Sequence, residues 1–267
     1  MRPVDLAMGG IVIGLLAGPA HAQVLRTKPR EKSWDVTIGA GAVHAPDFPG
    51  SSTRRAFPLP FFEVYYKDRF SFNGAGLSWF ALNTESAALS FDLSYDFGRQ
   101  DSDRAASFSP GATRLRGLGT IEGTPELGLT ASATVGGLPV YGSLRKAPDG
   151  QGHGGAIAHL GIDFPVEIDP KLTAAFSLGV DWVDENYAQA YFGVTRAQAS
   201  RTRFREYDAK GGFNNASANL SVVYNHDRHW RAVAFAGIGR LLGDAADSPI
   251  TERRNQPAFG FFVTYRF

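Results

Sequence analysis

Hydrophobic and polar residues alternate at every second position along much of the chain. Ser86–Phe97 is the clearest case, with an apolar row and a polar row on opposite sides: Leu89, Phe91, Leu93, Tyr95 and Phe97 against Ser90, Asp92, Ser94 and Asp96. Successive side chains of a β-strand point to opposite faces of the sheet, so this spacing predicts a strand with one apolar and one polar face. Lys171–Val183 and Phe213–Tyr224 repeat the pattern.

Eight other segments are interpreted as strands: Trp34–Val43, Phe61–Tyr66, Phe70–Leu82, Pro125–Val135, Leu138–Arg145, Gly155–Phe164, Trp230–Leu241 and Phe259–Phe267. Most are close to the ~9–11 residues that a tilted strand needs to cross a membrane. The polar rows hold mainly Ser, Thr, Asn, Gly and isolated Asp. A polar interior inside an apolar exterior is typical of an outer-membrane barrel, so the fold predicted is an all-β, antiparallel transmembrane β-barrel.

The lengths of the connections predict how these strands are threaded. Bacterial barrels have an even number of strands, short periplasmic turns and long outer loops. The eleven segments are an odd number, and counting back from Phe267 puts the first long connection, His44–Pro60, on the wrong side. Either Trp34–Val43 lies outside a ten-stranded barrel, or one more strand, near residues 185–194 or in the first loop, makes twelve. We predict twelve strands.

The two ends of the chain carry features of export and assembly. Arg2 precedes the apolar run Ala7–Ala17, and Ala20 and Ala22 form a small-x-small cleavage site. Residues 1–22 are therefore predicted to be a signal peptide, and residues 23–267 a single barrel domain. The last strand has one apolar row: Phe259, Phe261, Val263, Tyr265 and Phe267. A row that ends on a C-terminal Phe resembles the assembly signal that the barrel assembly machinery reads.

Composition and spacing give little support to an enzyme. The chain has no cysteine, which excludes thiol nucleophiles, and its net charge of +1 argues against a nucleic-acid partner. His159 and Asp163 share a strand face, but four positions along a strand separate them by ~13 Å. No nucleophile-elbow motif accompanies them. His226 and His229 have a spacing suited to metal ligands, yet they lie in a turn with only Asp227 nearby. We expect no catalysis, no cofactor and no metal.

Eight motifs are spread across the mature sequence: Gly39–Ser51, Pro58–Val64, Lys67–Phe70, Ser94–Arg99, Arg116–Gly119, Tyr191–Thr195, Leu241–Ile250 and the Tyr265–Phe267 terminus. In this order they resemble the MipA/OmpV family of outer-membrane proteins. The resemblance implies a barrel in the outer membrane of a Gram-negative cell. It also implies, for the best-known member, a scaffold that links a lytic transglycosylase to a murein synthase.

Other functions stay open at this point. The resemblance also extends to relatives associated with surface adhesion and antigenicity, and a barrel of this size is a candidate for a small pore. Five cations occur within Arg196–Lys210 against only two acids, and the cations are Arg196, Arg201, Arg203, Arg205 and Lys210. These side chains suit the phosphates of lipopolysaccharide in the outer leaflet, although a solvated flexible loop explains them equally well.

Overall fold

The computed structural model describes residues 33–74, 76–102 and 111–267, and the predicted signal peptide with Ala20 and Ala22 lies outside them. Twelve antiparallel strands close into a barrel in which each strand pairs with its neighbours in sequence and the first pairs with the last. The strands are β1 (Trp34–Pro46), β2 (Arg54–Tyr66), β3 (Phe70–Asn73), β4 (Gly76–Asn83), β5 (Ala87–Asp96), β6 (Thr124–Val135), β7 (Leu138–Lys146), β8 (Ala156–Asp169), β9 (Leu172–Val183), β10 (Gly212–Asn225), β11 (Trp230–Leu241) and β12 (Asn255–Arg266). In the described part of the chain, no helix is long and apolar enough to cross a membrane.

The prediction of twelve strands is confirmed, but the twelfth strand arises at an unexpected place. Residues 70–82, which the pattern joins into one strand, form a hairpin in which Asn73 of β3 pairs with Gly76 of β4. Gly74 lies in the turn between them. The sequence does mark this break, because Asn73-Gly74 is a turn dipeptide and the outward apolar row moves from even positions, Phe70 and Phe72, to odd positions, Leu77 and Trp79.

All three explanations offered for the odd strand count are wrong. Residues 185–192 form a helix rather than a strand, and the first loop holds no separate strand because β2 already begins at Arg54. Trp34–Val43 belongs to the barrel, since β1 pairs with both β2 and β12. With the β3–β4 hairpin in place, all the long connections leave one end of the barrel and all five turns at the other end are short. These ends are called the loop end and the turn end.

The predicted division between inward and outward rows is confirmed. On β5, Phe91 is half exposed on the outside of the barrel, while Ser90 and Ser94 are buried inside. On β12, Phe259 and Phe261 face outward, and Phe262 packs inside. Large apolar side chains are exposed all around the outer wall. Contact with water would be unfavourable for so much apolar surface, so this wall is stable in contact with lipid.

The lumen of the barrel is filled by side chains. The Tyr141 ring occupies the space that a Cβ on Gly161 would need, and the Phe235 ring does the same above Gly260. Inward glycines thus provide room for large neighbours on the adjacent strands. One side of the lumen is an apolar cluster, which consists of Val43, Ala45, Phe61, Val223, Val233, Phe235, Ala258 and Phe262. The opposite side is polar and equally buried, with Glu126 at 0% exposure.

A folded cap closes the loop end of the barrel. It contains the helices α1 (Glu185–Phe192), α2 (Arg196–Ala199) and α3 (Gly243–Asp247). Asp184 caps α1 by accepting a hydrogen bond of 2.9 Å from the backbone of Tyr187. The apolar side of α1 then packs on the barrel rim, where Phe192 is 1% exposed. A second apolar cluster joins the other loops: Phe48, Ala112, Leu115, Leu118, Val194, Phe204 and Ile250.

Candidate functional site

A buried polar network joins the barrel wall to the cap. Glu126 on β6 accepts a hydrogen bond of 2.6 Å from Arg145 on β7, and the two side chains are 0% and 3% exposed. The other carboxylate oxygen of Glu126 contacts His153 Nε2 at 3.1 Å, and Ser94 donates to the carboxylate from β5. A buried charge is tolerated only when it is paired and fully hydrogen-bonded, and Glu126 meets both conditions.

The network continues into helix α1. The Tyr191 hydroxyl donates to Asp96 Oδ1 at 2.7 Å, and the backbone oxygen of Tyr191 accepts from Arg99 at 2.5 Å. Burial lowers the pKa of Arg99 to about 10, and burial followed by the charge of Asp96 raises the pKa of Tyr191 well above its ordinary value. These contacts fasten the cap to the strand ends of β5 and β6, so the cap is a fixed part of the barrel.

Three members of this network are close enough to resemble a metal site. Ligand atoms of Asp96, Glu126 and His153 all lie within 4.8 Å of one another. The histidine tautomer opposes a metal ion, however, because Gly155 N–H donates to His153 Nδ1 at 3.0 Å. A neutral imidazole that accepts at Nδ1 carries its proton on Nε2, the atom a metal would need. Arg145 also supplies the positive charge that balances Glu126. The geometry of the cluster therefore favours a structural role, in which it joins the barrel wall to the cap.

His159 pairs with an acid that the spacing along its own strand does not reveal. Its Nδ1 lies 2.6 Å from Asp181 on β9, and Asn215 on β10 donates to the second oxygen of Asp181 at 3.0 Å. Asp163, the residue considered from the sequence, instead lies near the hydroxyl of Tyr141 at 3.5 Å. His159 Nε2 has no hydrogen-bond partner among the described residues, so the pair lacks the nucleophile contact that a catalytic triad requires.

The other residues singled out in the sequence lie on the last strand, β12, and in the β10–β11 turn. Phe259, Phe261, Val263, Tyr265 and Phe267 share the outer face of β12, as predicted, and their role in assembly stays a prediction. His226 and His229 lie in the β10–β11 turn, where Asp227 accepts hydrogen bonds from the backbones of His229 and Trp230. These bonds lower the pKa of Asp227. His229 stacks on Tyr265 at 5.2 Å, so the turn is fixed by local contacts.

The basic segment Arg196–Lys210 divides into paired and unpaired cations. Arg196 lies 3.5 Å from Glu206, and Lys210 lies 2.9 Å from both Glu185 and Asp208. Arg201 and Arg203 turn toward the β5–β6 loop instead. The sequence did not predict the contact between these two arginines and the β5–β6 loop, nor the Glu126–Arg145 pair. The pair could be predicted from the Gly136–Gly137 hairpin, because its register places Arg145 opposite Gly128, two residues from Glu126.

Residues 38–267 match the family model described as MltA-interacting protein MipA. The chain belongs to this family. It is 25% identical to the MltA-interacting protein of Escherichia coli K12 over 100% of both chains. It is also 25% identical to the outer membrane protein OmpV of Vibrio cholerae, over 58% of this chain and 59% of that one.

The family and the barrel place the protein in the outer membrane, so the loop end faces outward and the turn end faces the periplasm. Among solved structures, an outer-membrane channel of Pseudomonas putida F1 is similar with a TM-score of 0.45 and 11% identity, over 90% of this chain and 98% of that one.

Proposed function

We propose that this MipA-family protein is a non-enzymatic scaffold that holds a murein-degrading enzyme at the periplasmic face of the outer membrane. The observation that carries the proposal is the closed outer end of the barrel, where helix α1 and its neighbours fill the mouth. A soluble partner in the cell envelope can reach only the turn end. The full-length relative from Escherichia coli is named for its interaction with MltA, which supports a partner of that kind.

The turn end offers a surface of exposed, charged residues. Lys67, Glu85 and Arg228 lie in three different turns, and all three are exposed. Lys67 and Asp68 have positive φ values of 47° and 54° in the tight three-residue connection between β2 and β3. Because these turns are short and held by backbone hydrogen bonds, their backbones keep these residues at fixed positions around the turn end. Such a rigid rim lowers the entropic cost of docking a folded partner.

Site-specific crosslinking in intact envelopes tests the scaffold. A photoreactive residue at Glu85 or Arg228 is expected to capture a lytic transglycosylase, with a murein synthase captured directly or through it. Gln151 is the matched control, because it is equally exposed but lies in the β7–β8 loop at the outer end. Absence of both enzymes from the periplasmic positions, in correctly inserted protein, would sink the proposal.

Burial of the lumen argues against the alternative function of a pore. Thr130, Asp181 and Asn215 face inward from neighbouring strands, and each is only 2% exposed. An open channel would leave such side chains in contact with water. We expect no stepwise ion conductance from the purified barrel in planar bilayers, and steady channel openings would favour the pore instead.

An adhesin would depend on the outer loops, so shortening the β9–β10 loop would abolish surface binding without affecting the periplasmic crosslinks.

A further inference from the structure

Two outer loops bring four arginines to one place on the cap. Arg114 and Arg116 come from the β5–β6 loop, and Arg201 and Arg203 come from the β9–β10 loop. They surround an open depression of about 680 Å³, which also includes Thr113, Gly117, Thr202 and Phe204. The two arginine pairs are far apart in the sequence, so only the folding of the cap places them together.

The depression is built on a rigid base. Leu115 and Phe204 anchor the two loops in the same apolar cluster, at 0% and 5% exposure. Arg201 Nε donates to the backbone oxygen of Gly117 at 2.7 Å, which joins one loop directly to the other. The guanidinium groups of Arg114 and Arg203 each lie 5.5 Å from the centre of the Phe204 ring. Arg114, Arg201 and Arg203 are thus held in position before any ligand binds, whereas Arg116 is exposed at the edge of the depression.

Positive charge in the depression exceeds the negative charge beside it. Arg114 forms an ion pair of 3.0 Å with Glu252, and Arg201 bonds only to a neutral carbonyl. Within the described residues, Arg116 and Arg203 have no acidic partner. Burial lowers the pKa of Arg114, the charge of Glu252 opposes this shift, and the charge of Arg203 adds to it. Asp101 also accepts a hydrogen bond of 3.3 Å from the Gly117 backbone, so four arginines are matched by two acids, and the excess of cations favours an anionic ligand.

We propose that this depression binds the phosphate groups of the sugar headgroup of lipopolysaccharide. Guanidinium groups match phosphate oxygens with two parallel hydrogen bonds, and several of them converge here from different directions. The depression lies on the outer cap of an outer-membrane barrel, on the side where the phosphorylated glycolipid is found. The expected contact with lipopolysaccharide is thereby assigned to a site made by two loops, with Arg196 and Lys210 outside it. This site is independent of the periplasmic scaffold.

Binding of lipopolysaccharide to the purified full-length barrel in detergent tests the site. The double variant Arg116→Gln/Arg203→Gln is expected to bind about tenfold or more weakly than the unmodified protein. Arg196→Gln/Arg205→Gln is the matched control, because it removes the same charge from exposed positions outside the depression. The control is expected to bind within about twofold of the unmodified protein, and both variants must retain the folded, heat-modifiable form.

The ligand is varied to identify the group that is recognised. Enzymatic removal of the phosphates should weaken the binding of lipopolysaccharide to the unmodified barrel. The dephosphorylated lipid should then bind the Arg116→Gln/Arg203→Gln variant and the unmodified barrel with equal affinity. Equal losses in both double variants would show general charge attraction and overturn the site. Undiminished binding of the dephosphorylated lipid would overturn phosphate recognition, and binding of inorganic pyrophosphate without binding of the lipid would overturn the lipid as the source.

Discussion

Glu126 and Arg145 form an almost completely buried salt bridge of 2.6 Å between neighbouring strands of the barrel. Replacing Glu126 by Gln leaves the guanidinium buried without its counter-charge, which is expected to cost about 3–5 kcal/mol of stability. The measurement is the temperature at which the barrel loses its heat-modifiable migration on a detergent gel. Adding Arg145→Met should recover part of the loss, because the unpaired charge is then gone. An unchanged transition in Glu126→Gln would show that the pair contributes little.

The packing of Tyr141 over Gly161 gives a second prediction. A methyl group at residue 161 would occupy the position of the Tyr141 ring, so Gly161→Ala is expected to cost about 1–3 kcal/mol through overpacking. Gly142, on the strand beside it, is the matched control. A Cβ there would lie 3.4 Å from the His159 backbone oxygen, close to ordinary contact, and Gly142→Ala should be nearly neutral. Equal effects of the two substitutions in the same thermal assay would contradict the filled lumen.

The tyrosines of helix α1 predict the behaviour of the cap at alkaline pH. Burial and nearby acids raise the pKa values of Tyr187 and Tyr191 well above 10. The folded state therefore holds these protons more tightly than the unfolded state, and stability falls as the pH rises above about 10. Tyr187 and Tyr191 should therefore be among the tyrosines whose tyrosinate absorbance appears only when the protein unfolds.

Two conservative variants assign that late ionisation. Tyr187→Phe and Tyr191→Phe should each remove one late-titrating group from the absorbance curve. Tyr191→Phe should also destabilise the cap by about 1 kcal/mol, because it deletes the hydrogen bond of 2.7 Å to Asp96. If all the tyrosines ionise together near pH 10 while the barrel is still folded, the packed cap is refuted.

The C-terminal residue is predicted to act in assembly rather than in stability. Phe267→Ser should lower the amount of heat-modifiable barrel recovered from outer membranes, since the terminal aromatic row would lose its last member. Phe213→Ser is a suitable comparison, because Phe213 is also an outward aromatic residue, with 61% exposure against 56% for Phe267. Equal recovery of the two variants would argue that position 267 carries no assembly signal.

The pattern of alternation was sufficient to predict most of the strands and their orientation. Only one orientation of β5 puts the apolar Phe91 and Leu93 against lipid and the polar Ser90 in the lumen. A shift by one residue would exchange the two faces of the strand. The prediction failed at the β3–β4 hairpin, where the Asn73-Gly74 turn signal was overlooked and two short strands were joined into one. It also could not assign residues 185–192, whose helix is stabilised by packing on the barrel rim.

The sequence by itself determined that this chain forms a membrane barrel, since the two-residue period and the family motifs are local properties of the chain. Tertiary structure alone decided which charges meet. His159 pairs with Asp181 rather than Asp163, because the neighbouring strand lies nearer than four positions along the same strand. In the same way, Arg116 and Arg203 become neighbours only when two outer loops pack on one apolar cluster. Contacts between distant segments depend on register and closure, which no short window of sequence contains.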